Sequence, residues 1–144
     1  MNERQALQIA QALHARSGAT RAWDMEILDA GPGWARVAMT VREDMLNGHR
    51  VAHGAMIFAL ADTAFAYACN SRNVSTLAQQ ASIAFLAPAQ PGERLIAEAR
   101  ELMSVGRSGS YAVTVATDDG RAIATFTGLS RTIGGAWLPG TTVK

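Results

Sequence analysis

Residues 55–69, running Ala55-Met-Ile-Phe-Ala-Leu-Ala-Asp-Thr-Ala-Phe-Ala-Tyr-Ala-Cys69 after His53-Gly54, constrain this chain more than any other stretch. A segment apolar on nearly every side reads as a helix that must be buried nearly all round. The remaining residues therefore have to build a surface that wraps it. One carboxylate, Asp62, interrupts the segment, and no cation lies within one helical turn of it. An ionised carboxylate removed from water costs several kcal/mol unless it is paired, so such a group points to a use.

A length of 144 residues and a hydrophobic content of 49% suit one domain, residues 1–144, with a substantial core. No apolar run is long enough to span a bilayer. The net charge of +1, with Arg and Lys scattered along the chain, gives no electrostatic case for nucleic acid. Met1-Asn-Glu-Arg-Gln5 is charged and amphipathic and does not resemble a signal peptide, so a cytoplasmic location is expected. The single cysteine, Cys69, forms no internal disulfide, and its apolar setting predicts an inert thiol. His14 and His49 have no spaced Asp, Glu or Cys partners, and neither a metal nor a redox cofactor is expected.

Leu7, Ile9, Ala10 and Leu13 predict an amphipathic N-terminal helix within residues 1–17, able to cover one edge of a sheet. Residues 23–28 and 34–41, separated by the turn-rich 29–33, predict a hairpin. After the apolar helix, strands are expected at 76–86, 94–103, 109–117 and 121–133, with turns at 88–92, 105–106 and 118–120. Two strands, one central helix and four strands imply the α+β class: an antiparallel sheet curling around a buried helix. A parallel α/β layout fails because the later connections are too short for helical crossovers. The tail, residues 136–144 with Pro139-Gly140, is expected to be loose.

Helix geometry limits what His53, Gly54 and Asp62 can do together. Nine residues at about 100° each set His53 and Asp62 on nearly opposite faces, roughly 13 Å apart along the axis. A shared site then requires a two-fold interface, where the helix start of one chain meets the carboxylate of another, and this predicts a dimer. The helix start offers N–H groups at Gly54 and Ala55 and the positive end of the helix dipole, which suit a carbonyl oxygen gaining negative charge. Asp62 is then a general base for water or a direct nucleophile, and Asn47, in the preceding loop, orients the water or the carboxylate. His53 at a helix start serves equally as a cap or as a substrate contact, and Asn47-Gly48 is also a turn signal. Phe58, Phe65 and Tyr67 are expected to pack in the core or an interface.

Met45-Leu-Asn-Gly-His49, His53-Gly54 and Leu60-Ala-Asp-Thr-Ala-Phe-Ala-Tyr-Ala-Cys-Asn70 resemble the hotdog-fold acyl-CoA thioesterases of the PaaI type, which are associated with phenylacetate catabolism. The likeness continues through Ile83-Ala-Phe-Leu-Ala-Pro88, Arg107-Ser-Gly-Ser-Tyr111 and Arg131-Thr-Ile-Gly-Gly135. It implies a hotdog fold and hydrolysis of phenylacetyl-CoA or a hydroxylated relative to the free acid and coenzyme A. It also implies Asp62 as the catalytic carboxylate, Gly54 as donor to the thioester carbonyl, and Asn47, His53 and Thr63 completing the site. Ala55 joins Arg107, Ser108 and Gly109 as candidate substrate or coenzyme A contacts, and a homotetramer of two dimers is implied. Two positions depart from the family pattern: Ala55 replaces the second glycine of His-Gly-Gly, and Ala87 stands where an arginine often precedes the proline. Alanine keeps its N–H, whereas the loss of the arginine shifts phosphate binding toward Arg107. A hotdog enoyl-CoA hydratase and a non-catalytic acyl-CoA binding or sensing protein are the alternatives. The hydratase needs a same-chain histidine and acid that are not found, and the binding protein leaves Asp62 without a role.

Overall fold

The computed structural model describes residues 1–139. The central helix, α3 (Gly54–Cys69), forms as the alanine-rich run demands, with His53 as its N-cap and Asn70 as its C-cap. Asn70 also fixes the exit. Its Nδ2 donates to the Ala66 carbonyl at 2.8 Å and to the Thr76 carbonyl at 3.1 Å, while its Oδ1 accepts from the Thr76 N–H at 2.9 Å. One side chain thus ends the helix and starts the next strand.

Six strands wrap α3: β1 (Glu26–Gly31), β2 (Trp34–Thr40), β3 (Thr76–Phe85), β4 (Arg94–Val105), β5 (Ser108–Thr117) and β6 (Ala122–Thr132). They form one sheet in the order β1-β2-β4-β5-β6-β3, and every pairing is antiparallel. The expected fold, a curved antiparallel sheet around a central helix, is the one observed. Alternation supplies the inner face: Val37, Leu95, Ala97, Val113 and Phe126 are all within 1% of complete burial. At Gly128 an added Cβ would lie 2.8 Å from the Phe65 ring, so only glycine lets the helix pack this close to β6.

The two ends of the sheet differ. The edge strand β1 is covered by α1 (Glu3–Arg16), which opens with a reciprocal Asn2–Gln5 capping box and buries Ala6, Ile9 and Ala10. The opposite edge strand, β3, has no strand neighbour on its far side among the described residues. Of its ten residues only Thr76 is buried, and none is charged.

Three expectations need correction. Residues 23–25 do not begin a strand, because a five-residue helix, α2 (Gly18–Ala22), carries the chain to Met25 and β1 starts at Glu26. Asp29, Ala30 and Gly31 belong to β1, so the hairpin turns on Pro32 and Gly33 alone, Gly33 adopting φ +79°. The tail is not loose over residues 136–139. The Trp137 and Leu138 N–H groups donate to Asn73 Oδ1 at 2.8 and 2.9 Å, and the Trp137 indole donates to Asn70 Oδ1 at 2.9 Å. The rest of the tail, residues 140–144, lies outside the described residues. No described helix is long and apolar enough to cross a membrane.

Candidate active site

Along α3 the residues with some exposure are Gly54, Ala55, Phe58, Ala59, Asp62, Thr63, Ala66 and Cys69, a stripe at helical spacing flanked by buried turns. The stripe is apolar or small except at Asp62 and Thr63. Asp62 makes no hydrogen bond or ion pair among the described residues. Burial pushes its carboxyl above the ordinary aspartate range. Thr63 points its hydroxyl back along the helix, donating to the Ala59 carbonyl at 2.7 Å, so only its lone pairs face outward.

The helix start corrects one expectation. The Ala55 N–H is not free: it donates to His53 Nδ1 at 3.0 Å. His53 is therefore a cap through its side chain, with the ring proton of its neutral form on Nε2. The Met56 N–H is also satisfied, by the His53 carbonyl at 2.9 Å. That leaves the Gly54 N–H as the donor without an acceptor among the described residues.

Asn47 lies beside Gly54 on the wall of one depression of about 360 Å³. Its Oδ1 accepts from the His49 N–H at 2.9 Å, and its backbone exchanges hydrogen bonds with Val51 and Arg50. The turn reading of Asn47-Gly48 is thus correct for the side-chain oxygen. The Nδ2 group keeps its protons without an acceptor among the described residues, so Asn47 presents a donor beside Gly54.

Arg107, Ser108 and Gly109 sit elsewhere. With Cys69, Arg72 and Tyr111 they line a second cavity of about 410 Å³ at the far end of α3. Sixteen residues of helix separate the two hollows, about 24 Å at 1.5 Å per residue. One chain therefore does not bring Arg107 to Gly54. Arg107 donates to the Thr132 carbonyl through Nε and Nη2 at 3.2 and 2.9 Å, holding its guanidinium at the mouth. Cys69 opens onto this cavity, yet burial and the nearby Asp62 charge push its thiol up to about 12, so it stays protonated as expected. Phe65 and Tyr67 are buried, Phe58 packs edge-on against Phe126 at 5.3 Å, and His14 Nδ1 lies 3.0 Å from the Tyr67 hydroxyl.

Sequence reasoning missed Phe85. Its ring lies over the helix start, where a Cβ on Gly54 would come within 2.9 Å of Phe85 Cζ. The signal available was the phase of β3, in which Phe85 shares the inward face with Ala81 and Ile83.

Comparison with known proteins follows the same lines. The sequence model of the thioesterase superfamily matches residues 49–124, from the loop before α3 into β6. The acyl-coenzyme A thioesterase PaaI of Escherichia coli (strain K12) is 38% identical over 130 residues, covering 90% of this chain and 93% of that protein. The structure of the E. coli PaaI protein from the phenylacetic acid degradation operon superposes with a TM-score of 0.92 at 37% identity, covering 94% of this chain and 99% of that one. A mutant of the phenylacetic acid degradation protein PaaI from Thermus thermophilus gives 0.78 at 35% identity, covering 81% of this chain and 100% of that one. With the family matched from residue 49 to 124 and a relative 38% identical across 90% of its length, the chain belongs to the thioesterase superfamily and is a thioester hydrolase of the hotdog fold.

Proposed function

We propose that the protein hydrolyses acyl-CoA thioesters, with phenylacetyl-CoA or a hydroxylated relative as the preferred class, at a site shared between two copies of the chain. The observation that carries this reading is Asp62. It is an unpaired, half-buried carboxylate on a partly exposed apolar stripe, in a chain whose adjacent sheet edge is open and uncharged. A ten-residue strand with no charge and no proline is a ready partner for its own copy. Pairing by a two-fold axis is antiparallel and lays the two α3 stripes side by side. Eight residues, about 12 Å of helix, separate Gly54 from Asp62, so an axis beside Phe58 sets each Gly54 against the partner's Asp62.

That arrangement also joins the two hollows. Cys69, at the mouth of the Arg107 cavity, comes level with the loop carrying the partner's Asn47. The arginine- and hydroxyl-lined cavity suits the phosphates and amides of coenzyme A, and the Gly54 depression receives the acyl end. The PaaI name and phenylacetic acid setting of the relatives support the aryl-acetyl class.

The reaction follows from the groups in place. The Gly54 N–H donates to the thioester oxygen and stabilises the charge it gains as the carbonyl carbon becomes tetrahedral. Asp62 of the facing chain takes a proton from the attacking water, or attacks the carbonyl carbon itself to give an anhydride that water then opens. The carbon–sulfur bond breaks, and coenzyme A leaves as the thiol once protonated. His53 keeps the Ala55 N–H occupied, which leaves Gly54 as the donor aimed at substrate. The test is thiol release from a panel of aromatic and straight-chain acyl-CoAs by wild type and Asp62→Asn. Loss of turnover in a variant that keeps its oligomeric state supports the reading. An active Asp62→Asn contradicts it.

A further inference from the structure

We infer that the depression at the start of α3 is the acyl pocket and that Phe85 determines its preference for aryl groups; this rests on the proposed thioester chemistry. Three observations place the pocket at this end of the helix. It contains the free Gly54 N–H, so a carbonyl bound there projects its acyl substituent into the same hollow. Its walls, including Val51, Ile57, Leu86 and Pro88, are apolar except for Asn47. It has no cation in its lining, in contrast to the cavity that holds Arg72 and Arg107. An anionic nucleotide is served by the second cavity and an apolar acyl group by the first.

Phe85 is the feature that makes this pocket selective. It stands on the inward face of β3, opposite Ala124, yet it is 54% exposed, so its ring is not committed to the core. It lies against Gly54, in the space any side chain at that position would need. The ring therefore rests against backbone on one side and is open on the other, beside the point where the substrate carbonyl binds. A planar aryl group one methylene from that carbonyl meets the ring in an offset or edge-on contact, which a flexible alkyl chain cannot match in geometry. Such a pair is worth about twofold to tenfold in selectivity. Its nearness to Gly54 also explains why a smaller apolar residue at position 85 would keep the pocket but lose the preference.

The experiment compares phenylacetyl-CoA with octanoyl-CoA, which carry the same number of acyl carbons. In wild type, Phe85→Tyr and Phe85→Leu, kcat/KM is measured for both. Phe85→Tyr is expected to keep the aryl-to-alkyl ratio, and Phe85→Leu to lower it about tenfold, mainly through KM. The same two ligands are titrated calorimetrically into Asp62→Asn and Asp62→Asn/Phe85→Leu, where turnover plays no part. A tenfold fall in the binding ratio on losing the ring supports the pocket even if the wild-type protein released no thiol, an outcome that would instead defeat the thioesterase reading. An unchanged ratio in both arms, or equal losses for the two ligands, overturns the assignment of Phe85.

Discussion

The two edges of the sheet were made for opposite ends. The β1 edge carries Glu26 and Asp29 and is covered by α1, while a register shift is common to both edges, between Ile27 and Asp29 in β1 and between Ala78 and Gln80 in β3. The charges and the covering helix each block pairing with another chain. The β3 edge has no charge and, among the described residues, no covering element, and β3 packs against α3, whose partly exposed stripe carries Asp62. The difference teaches where the chemistry lies. A chain that only had to close its core would protect both edges, whereas this one protects the β1 edge and leaves open the β3 edge, where the proposed second copy adds its own strand. In the proposed site the lone carboxylate, costly for the fold by itself, is put to use by that second copy.

Perturbing each side separates the two roles. The largest effect is expected for Asp62→Asn, which should lower kcat by about a hundredfold to ten-thousandfold without changing the oligomer, read by thiol release and sedimentation. Next, Gln79→Lys/Gln80→Lys places like charges on the open edge. Sedimentation should show loss of the assembly, with activity down about a hundredfold at concentrations where wild type stays associated.

The pH profile is the next test. Burial raises the Asp62 carboxyl above its ordinary value, and in the proposed mechanism the ionised form is the active one. Rate should therefore be full above that raised value and fall about tenfold per pH unit below it. Stability runs the other way: a raised folded-state value favours the fold at pH below the ordinary aspartate range, and that advantage is lost as pH rises through the raised value. Asp62→Asn should accordingly melt higher than wild type at neutral pH, by on the order of a few °C, with the difference vanishing in acid. Smallest is Glu26→Lys on the protected edge. It breaks a 2.8 Å ion pair with Arg94 whose acidic partner is 59% exposed, so Tm should move by less than about 2 °C and activity should hold.

Much of this was legible from residues alone. Alternation in β2, and the long apolar run of α3 with Asp62 as its one charge, announced a sheet around a helix because period and burial agree there. The helix spacing of His53 and Asp62 led to the expectation of a two-chain site, and the proposed function builds on it. What escaped detection depended on contacts distant in sequence. The helix α2, at five residues, is too short to show a period. That β3 would be the open edge follows from its pairing with β6, some fifty residues later, which no local pattern encodes. The capture of the Ala55 N–H by His53, the roof of Phe85 over Gly54 and the anchoring of Trp137 by Asn70 and Asn73 are all set by packing. Asparagine and histidine carry no signature that tells such roles from an exposed loop.

Subunit exchange tests the shared site most directly. Gly54→Pro removes the N–H at the first helical position, where proline is tolerated, and His53 already has the extended backbone (φ −60°, ψ 135°) that precedes proline well. The Phe85 ring, 54% exposed, has room to turn aside for the added ring atoms. Gly54→Pro and Asp62→Asn are each expected to be inactive. Mixed so that their chains exchange, they should form hybrids with one intact site, Gly54 from one chain and Asp62 from the other, and recover about a quarter of wild-type activity. If exchange is complete and no activity returns, Gly54 and Asp62 do not meet across an interface and the two-chain site is wrong.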